Sequence, residues 1–120
     1  MSAHERIDYL EYAAVDLDAT KAFFSKVFGW KFIDYGPDYT AFERQGHSLE
    51  GGFYRANLTS TSDQGGALAV FYSDELEATL AKVEQAGGEI VKRIFEFPGG
   101  RRFHFTEPSG NEFAVWSRVE

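Results

Sequence analysis

Arg102 and His104 stand two residues apart in the stretch GGRRFHFTEPSGNEFAVWS, Gly99 to Ser117. On an extended strand that spacing puts both side chains on one face. A guanidinium there can hold an anion or a carbonyl oxygen, and an imidazole can move a proton near neutral pH. The competing reading makes Arg101 and Arg102 solvated charges and His104 a packed, hydrogen-bonded side chain. Sequence alone leaves both open, because a one-residue slip of register exchanges the faces. Tyr9 and Glu11 share a face of the opening strand by the same period, and Glu112 and Trp116 share one of the last. A carboxylate on an aromatic surface can serve as a base, or it can pair with an arginine across the sheet. His47, Glu50, His104 and Glu112 have donor atoms suited to a divalent ion, but no two of them show a tight ligand spacing. The candidate proton carriers are therefore His104 and Glu11. The candidate ligand-binding residues are Tyr9, Arg102, Glu112, Trp116 and Glu50, and no metal ligand is assigned.

The elements that must position these groups can be read along the chain. Ile7–Val15 is a strand, and Asp16 or Asp18 is placed to cap the helix after it. From Thr20 the apolar residues Phe23, Phe24, Val27 and Phe28 recur at helical spacing, with Gly29 as the stop. Strands follow at Trp30–Tyr35, Tyr39–Arg44 and Leu49–Ala56. The last contains Gly51-Gly52, a sign of a bulge or of a close approach by another group. Ala67–Tyr72 is a strand. Ser73 or Asp74 is placed to cap a second helix that carries Leu76, Leu80, Val83 and Ala86 on one side and ends at Gly87-Gly88. Glu89–Phe97 is a strand, and Arg101–Phe105 and Glu112–Trp116 form a hairpin around the turn Glu107–Asn111. In that turn Pro108 fixes φ and Gly110 supplies a positive φ. The last strand alternates, with Phe113 and Val115 toward a core and Glu112, Ala114 and Trp116 away from it.

Composition narrows the classes. The 120 residues are 43% hydrophobic, with 12 Phe, 6 Tyr and 2 Trp, so the chain can bury a core as one domain. Its 12 basic residues against 19 acidic ones give −7, which opposes binding to a phosphate backbone. No apolar run is long enough to span a bilayer or to act as a signal peptide, so the expected compartment is the cytoplasm, with no membrane partner. Without cysteine there is no disulfide, thiol nucleophile or thiolate metal site.

The chain repeats itself. An offset of 59 residues carries Asp18-Ala19-Thr20 onto Glu77-Ala78-Thr79, Leu17 onto Leu76 and Gly29 onto Gly88. The polar stretch 57–66 links the halves, which gives one domain, 1–120, of two modules, 5–58 and 67–120. Each half reads strand, helix, strand, strand, strand. The expected fold class is α+β: two βαβββ modules forming curved mixed sheets around a concave cup, with the helices outside.

At this point AAVDLDATKAFFSKVFGWKF, LEATLAKVEQAGGEIV and RRFHFTEPSGNEFAVWS make the chain resemble the vicinal oxygen chelate superfamily, which includes glyoxalase I, extradiol dioxygenases and bleomycin-resistance proteins. The resemblance covers essentially the whole chain and is nearest to small bacterial proteins related to lactoylglutathione lyase. It implies paired βαβββ modules, a small-molecule site in the concave sheet and a homodimer, which exposed sheet edges also favour. Enzymes of that group hold a divalent metal through His, Gln and Glu. Carried over one at a time, those positions fall on Tyr9, on Leu68 or Ala67, on Ala114, and within 49–54, where Glu50 alone could ligate. Alanine and leucine offer no lone pair and tyrosine rarely serves, so the expectation is a metal-free cup without cofactor. Two functions then stand. One is a lyase or isomerase acting on a small carbonyl compound. The other is a non-catalytic protein that sequesters an aromatic or cationic compound, as the bleomycin-resistance relatives do, and an acidic, aromatic-lined cup suits a cation.

Overall fold

A computed structural model describes residues 4–119. Strand β1 (Tyr9–Ala14) leads to α1 (Leu17–Phe28), then to β2 (Phe32–Asp34), β3 (Tyr39–Phe42) and β4 (Glu50–Arg55). A short 3₁₀ turn (Ser62–Gln64) precedes β5 (Ala69–Tyr72), α2 (Leu76–Gln85), β6 (Glu89–Phe97), β7 (Gly100–Thr106) and β8 (Glu112–Arg118). The strands form two four-stranded mixed sheets, ordered β1-β4-β3-β2 and β5-β8-β7-β6. In each, the strand before the helix pairs in parallel with the last strand of its half, β1 with β4 and β5 with β8. The fold is thus α+β with two βαβββ modules, and the sheets are not closed into a barrel.

Local chemistry sets the helix ends. The Asp16 carboxylate accepts the Ala19 amide at 3.0 Å, so α1 begins at Leu17, a turn earlier than the aromatic repeat alone suggests. Gly29 stops it at φ 71°, with its amide donating to Ser25. The second helix differs from expectation. Neither Ser73 nor Asp74 is its N-cap; Glu75 is, with no side-chain cap bond. Ser73 instead accepts the Glu75 amide at 2.9 Å and bonds the Thr79 hydroxyl at 2.7 Å.

The pair Gly51-Gly52 makes no bulge. It lies in unbroken register with both neighbours, Gly51 opposite Leu10 and Phe42, Gly52 opposite Glu11 and Ala41. A Cβ on Gly51 would strike the Phe42 ring and the Leu10 carbonyl, and one on Gly52 would strike the Tyr39 hydroxyl. The irregularities lie instead between β6 and β7, where the register shifts twice.

Both sheets turn one face to a single core. Phe24 of α1 stacks at 5.7 Å on Phe53 of the first sheet and lies 5.2 Å from Phe113 of the second. Tyr12 bridges the same two sheets through Phe53 and Phe113. Phe103, Phe105, Phe113 and Val115 are buried there, in line with the face expected for Phe113 and Val115. The alternation of the strands therefore turns Tyr9 and Glu11 in the first sheet, and Arg102, His104, Glu112 and Trp116 in the second, to the faces opposite the core.

Candidate functional site

The outer face of the second sheet carries the densest chemistry. In the β7–β8 ladder Arg102 pairs with Trp116, His104 with Ala114 and Thr106 with Glu112. His104 and Glu112 are therefore diagonal neighbours, and Nδ1 of His104 lies 2.8 Å from Oε2 of Glu112. Although His104 is on the outer face it is only 2% exposed. Phe95 of β6 covers it, with ring centroids 5.8 Å apart. Its partner Glu112 is covered by the segment joining the modules, since the Ser62 amide and hydroxyl donate to Oε1 at 2.7 and 2.8 Å.

These contacts fix the charge states. Burial pushes the Glu112 carboxyl up, but the Ser62 amide, the His104 ring and the Ser62 hydroxyl outweigh it and hold the group below its ordinary value. An ionised carboxylate only accepts, so Nδ1 of His104 carries a hydrogen, and the tautomer of the neutral ring that this selects has its lone pair on Nε2. That Nε2 is buried and has no partner among the described residues. Buried polar atoms without a partner are uncommon and costly.

The two neighbouring arginines part company. Arg101 turns to the helix side and forms a forked pair with Glu77 of α2, at 2.6 and 3.2 Å. Arg102, on the outer face, has no carboxylate partner among the described residues, and its Nε is buried and unpaired. Its guanidinium lies over the rings of Phe95 (5.5 Å) and Phe97 (5.7 Å). Arg118, further along the same face of β8, donates to the Tyr72 hydroxyl at 3.0 Å and lies over the Tyr72 and Trp116 rings, likewise without a described carboxylate partner. Arg102, Trp116, Phe97 and Val70 line an open hollow of about 230 Å³. In a chain of net charge −7, two guanidiniums resting on aromatic faces make this a local concentration of positive charge.

The outer face of the first sheet holds a different set. Tyr39 donates to Oε2 of Glu11 at 2.9 Å, and the Tyr9 hydroxyl meets that of Tyr39 at 2.5 Å. Because Tyr39 gives its hydrogen to Glu11, Tyr9 is the donor to Tyr39. Burial first, then the bonds to Tyr9 and Glu11, push the Tyr39 hydroxyl far above the ordinary tyrosine value. Gly52 leaves the space that the Tyr39 ring tip occupies. Glu50 stands opposite Tyr9 in register and 3.8 Å from Arg44, which also pairs with Asp8 at 2.9 Å.

The structure thus groups His104, Arg102, Glu112 and Trp116 on one sheet and Tyr9, Glu11 and Glu50 on the other. The two groups share no hydrogen bond or ring contact among the described residues. His47 is exposed in the β3–β4 turn, and Glu50 is committed to Arg44, so neither joins His104 and Glu112. A metal of the kind held by related enzymes does not fit this donor set. The carried-over positions are Tyr9 (whose hydroxyl bonds that of Tyr39), Leu68 or Ala67, Ala114, and Glu50, and no three His, Asp or Glu side chains converge among the described residues.

Three functional groups escape a reading of the sequence: Arg118, Tyr39, and the buried Glu107 with its partners. Glu107 is 2% exposed and lies in the turn between β7 and β8. Its Oε1 accepts the Thr20 hydroxyl and the Ser109 amide, and its Oε2 accepts the Asn111 amide and side chain. Asn111 also donates to the Ala13 carbonyl at 2.8 Å and accepts the Ser60 amide at 2.9 Å. The turn EPSGN is therefore the clasp between the modules, and three polar residues in five positions were the signal for it.

A family model described as Glyoxalase/Bleomycin resistance protein/Dioxygenase superfamily matches residues 6–115. Among curated proteins, the chain is 29% identical over 127 residues to anthracycline biosynthesis protein DnrV of Streptomyces peucetius, and 28% identical to DauV of Streptomyces sp. strain C5. Each alignment takes in 92% of this chain and 46% of the relative, so the chain spans about half the length of the curated relatives it matches. Among solved structures, a glyoxalase-related enzyme from Fulvimarina pelagi superposes with a TM-score of 0.78 at 15% identity, over 95% of this chain and 88% of that one. Lactoylglutathione lyase from Agrobacterium tumefaciens superposes with a TM-score of 0.70 at 23% identity, over 94% and 93%. At these identities the superpositions establish the fold.

Proposed function

Since the chain belongs to the glyoxalase/bleomycin resistance/dioxygenase superfamily, we propose that it binds a small carbonyl compound bearing an anionic group on the outer face of its second sheet and acts on it as an isomerase or lyase. The observation that carries this reading is the His104 ring, pinned through Nδ1 by Glu112 while Nε2 is left buried and unpaired. Arg102, assisted by Arg118, holds the anionic end and the carbonyl oxygen. Once Phe95 swings off the His104 ring and opens it to the Arg102 hollow, Nε2 of His104 takes the proton from the carbon next to the carbonyl: the C–H bond breaks, N–H forms, and the electron pair passes to the oxygen as an enolate facing Arg102. Glu112 stabilises the resulting imidazolium, which returns the proton to complete an isomerisation or assists departure of a neighbouring group in a lyase step. The relatives' part in anthracycline biosynthesis supports an aromatic framework for the ligand.

The same reading includes a homodimer. Tyr9 and Tyr54 on the first outer face, and Val70, Tyr72 and Phe95 on the second, are large apolar side chains left exposed in one chain, and a second copy would cover them.

Phenylpyruvate in D₂O tests the chemistry. The expected result is deuterium uptake at its methylene above the buffer rate, lost by ~10²-fold or more in His104→Gln while binding changes little. Arg102→Ala is expected to weaken binding by about tenfold. Unchanged affinity with no exchange in either protein would support the sequestering function instead.

A further inference from the structure

Two buried side-chain nitrogens have no hydrogen-bond partner among the described residues, Nε of Arg102 and Nε2 of His104. One ring touches both of their residues. The Phe95 centroid lies 5.8 Å from that of His104, and the Arg102 guanidinium carbon stands 5.5 Å from the Phe95 centroid. The β6–β7 ladder puts the ring there. Lys92 is opposite His104 and Phe95 opposite Arg102, so three steps along β6 match two along β7. An extra residue of this kind bends its strand and re-aims a side chain, and the Phe95 ring reaches past its own partner to His104. The ring is 37% exposed, and among the described residues its aromatic contact is with His104 and its cation contact with Arg102. Turning it to another staggered position gives up those two contacts and no ring stacking in the core. Exposed side chains make such turns within nanoseconds.

We propose that Phe95 is a specificity-determining gate, which keeps Nε2 of His104 out of reach until an anion pairs with Arg102. The inference rests on the outer face of the second sheet being the ligand site. With the ring in place, Nε2 is shielded and stays unpaired at a cost. What holds the ring is the Arg102 charge, because an aromatic face attracts a guanidinium electrostatically. An anion paired with Arg102 offsets that charge and weakens the hold, so the open position gains population. Phe97 also faces the guanidinium, at 5.7 Å, and keeps the arginine on the site when Phe95 leaves. A ligand without an anionic group does not loosen the ring and meets a covered imidazole. Phe95 acts through Arg102 and His104 rather than on the reacting atoms. It makes the acid group of a ligand a condition of reaching the base, beyond the affinity that Arg102 supplies.

Diethyl pyrocarbonate acylates an imidazole nitrogen that has a free lone pair, so it reads the gate without turnover. Peptide mass analysis separates His104 from His47, which is exposed in the β3–β4 turn. His104 of the wild type is expected to react ~10-fold or more slowly than His47, and ~10-fold or more slowly than His104 of Phe95→Ala. Sodium sulfate, compared with sodium chloride of equal ionic strength, is expected to raise the wild-type His104 rate about two- to fivefold, the share that a cation–π contact holds. Phe95→Tyr should keep this response. Arg102→Ala should lose it, and so should Phe95→Leu, which has bulk but no ring face. Exchange then tests specificity. Phenylacetone is phenylpyruvate with the carboxylate replaced by a methyl group. Its methylene is expected to exchange far more slowly than that of phenylpyruvate in the wild type. Phe95→Ala should raise its kcat/KM several-fold, and Phe95→Tyr should leave it unchanged. Equal His104 rates in the wild type and Phe95→Ala, no sulfate response in the wild type, or a response that survives Arg102→Ala would overturn the proposal. If the labelling pattern holds and neither ketone exchanges, the gate stands and the proton-transfer reading fails.

Discussion

Thr20 donates its hydroxyl to Oε1 of Glu107 at 2.6 Å, across 87 positions of sequence and wholly inside the protein. The bond joins the first turn of α1 to the turn between β7 and β8, and with it the two modules. Glu107 accepts four such donors, so its carboxylate is solvated by the protein rather than by water.

Removing that acceptor leaves several buried donors unpaired at once. Glu107→Ala is expected to destabilise the fold by about 3–5 kcal/mol, and Glu107→Gln, which keeps one acceptor oxygen, by about 1–3 kcal/mol. Urea unfolding measures both. A midpoint unchanged in Glu107→Ala would show that the clasp contributes no net stability.

Glu112 links stability to acid pH. Its folded-state value lies below the ordinary one, so its contribution is complete above the unfolded-state value and is lost as pH falls through the folded value. Stability is therefore expected to decline below about pH 4.5, the ordinary value. Glu112→Gln should flatten that limb.

The same substitution should reverse the His104 ring. A glutamine amide donates to Nδ1, which moves the ring hydrogen to Nε2 and removes the acceptor. Proton exchange on phenylpyruvate is expected to fall by ~10²-fold or more with binding retained. Nitrogen NMR of the ring reports the tautomer directly, and an unchanged tautomer would contradict the assignment.

Gly52→Ala places a methyl group against the Tyr39 hydroxyl and ring tip. A cost of about 1–3 kcal/mol is expected, with the Tyr9–Tyr39–Glu11 chain broken. Tyr39 also gives an alkaline signature. Its folded-state value is raised, so its contribution holds below the unfolded value of 10.0 and is lost as pH rises beyond it. Absorbance titration should show two tyrosines, Tyr12 and Tyr39, resisting ionisation in the wild type, with one of them titrating earlier in Gly52→Ala.

The sequence by itself determined the elements and their duplication. Periods of two and of 3.6 residues are local properties, so the faces of β8, the apolar stripe of α1 and the Gly29 stop could be read from neighbours alone. It also paired Arg102 with His104 and Glu112 with Trp116 by strand alternation, but joining the two pairs on one face took the β7–β8 register. What it could not reach were relations between residues far apart. Ser73 and Asp74 both suit a helix cap, and the choice of Glu75 depended on Ser73 finding Thr79. The contrast between Arg101, paired with Glu77, and Arg102, left over aromatic rings, depends on where α2 lies. Likewise the burial of His104 under Phe95 and the Ser62 cover on Glu112 depend on segments that meet only in the folded chain. Burial and pairing are sums over neighbours that the chain brings together by folding, and no local spacing encodes them.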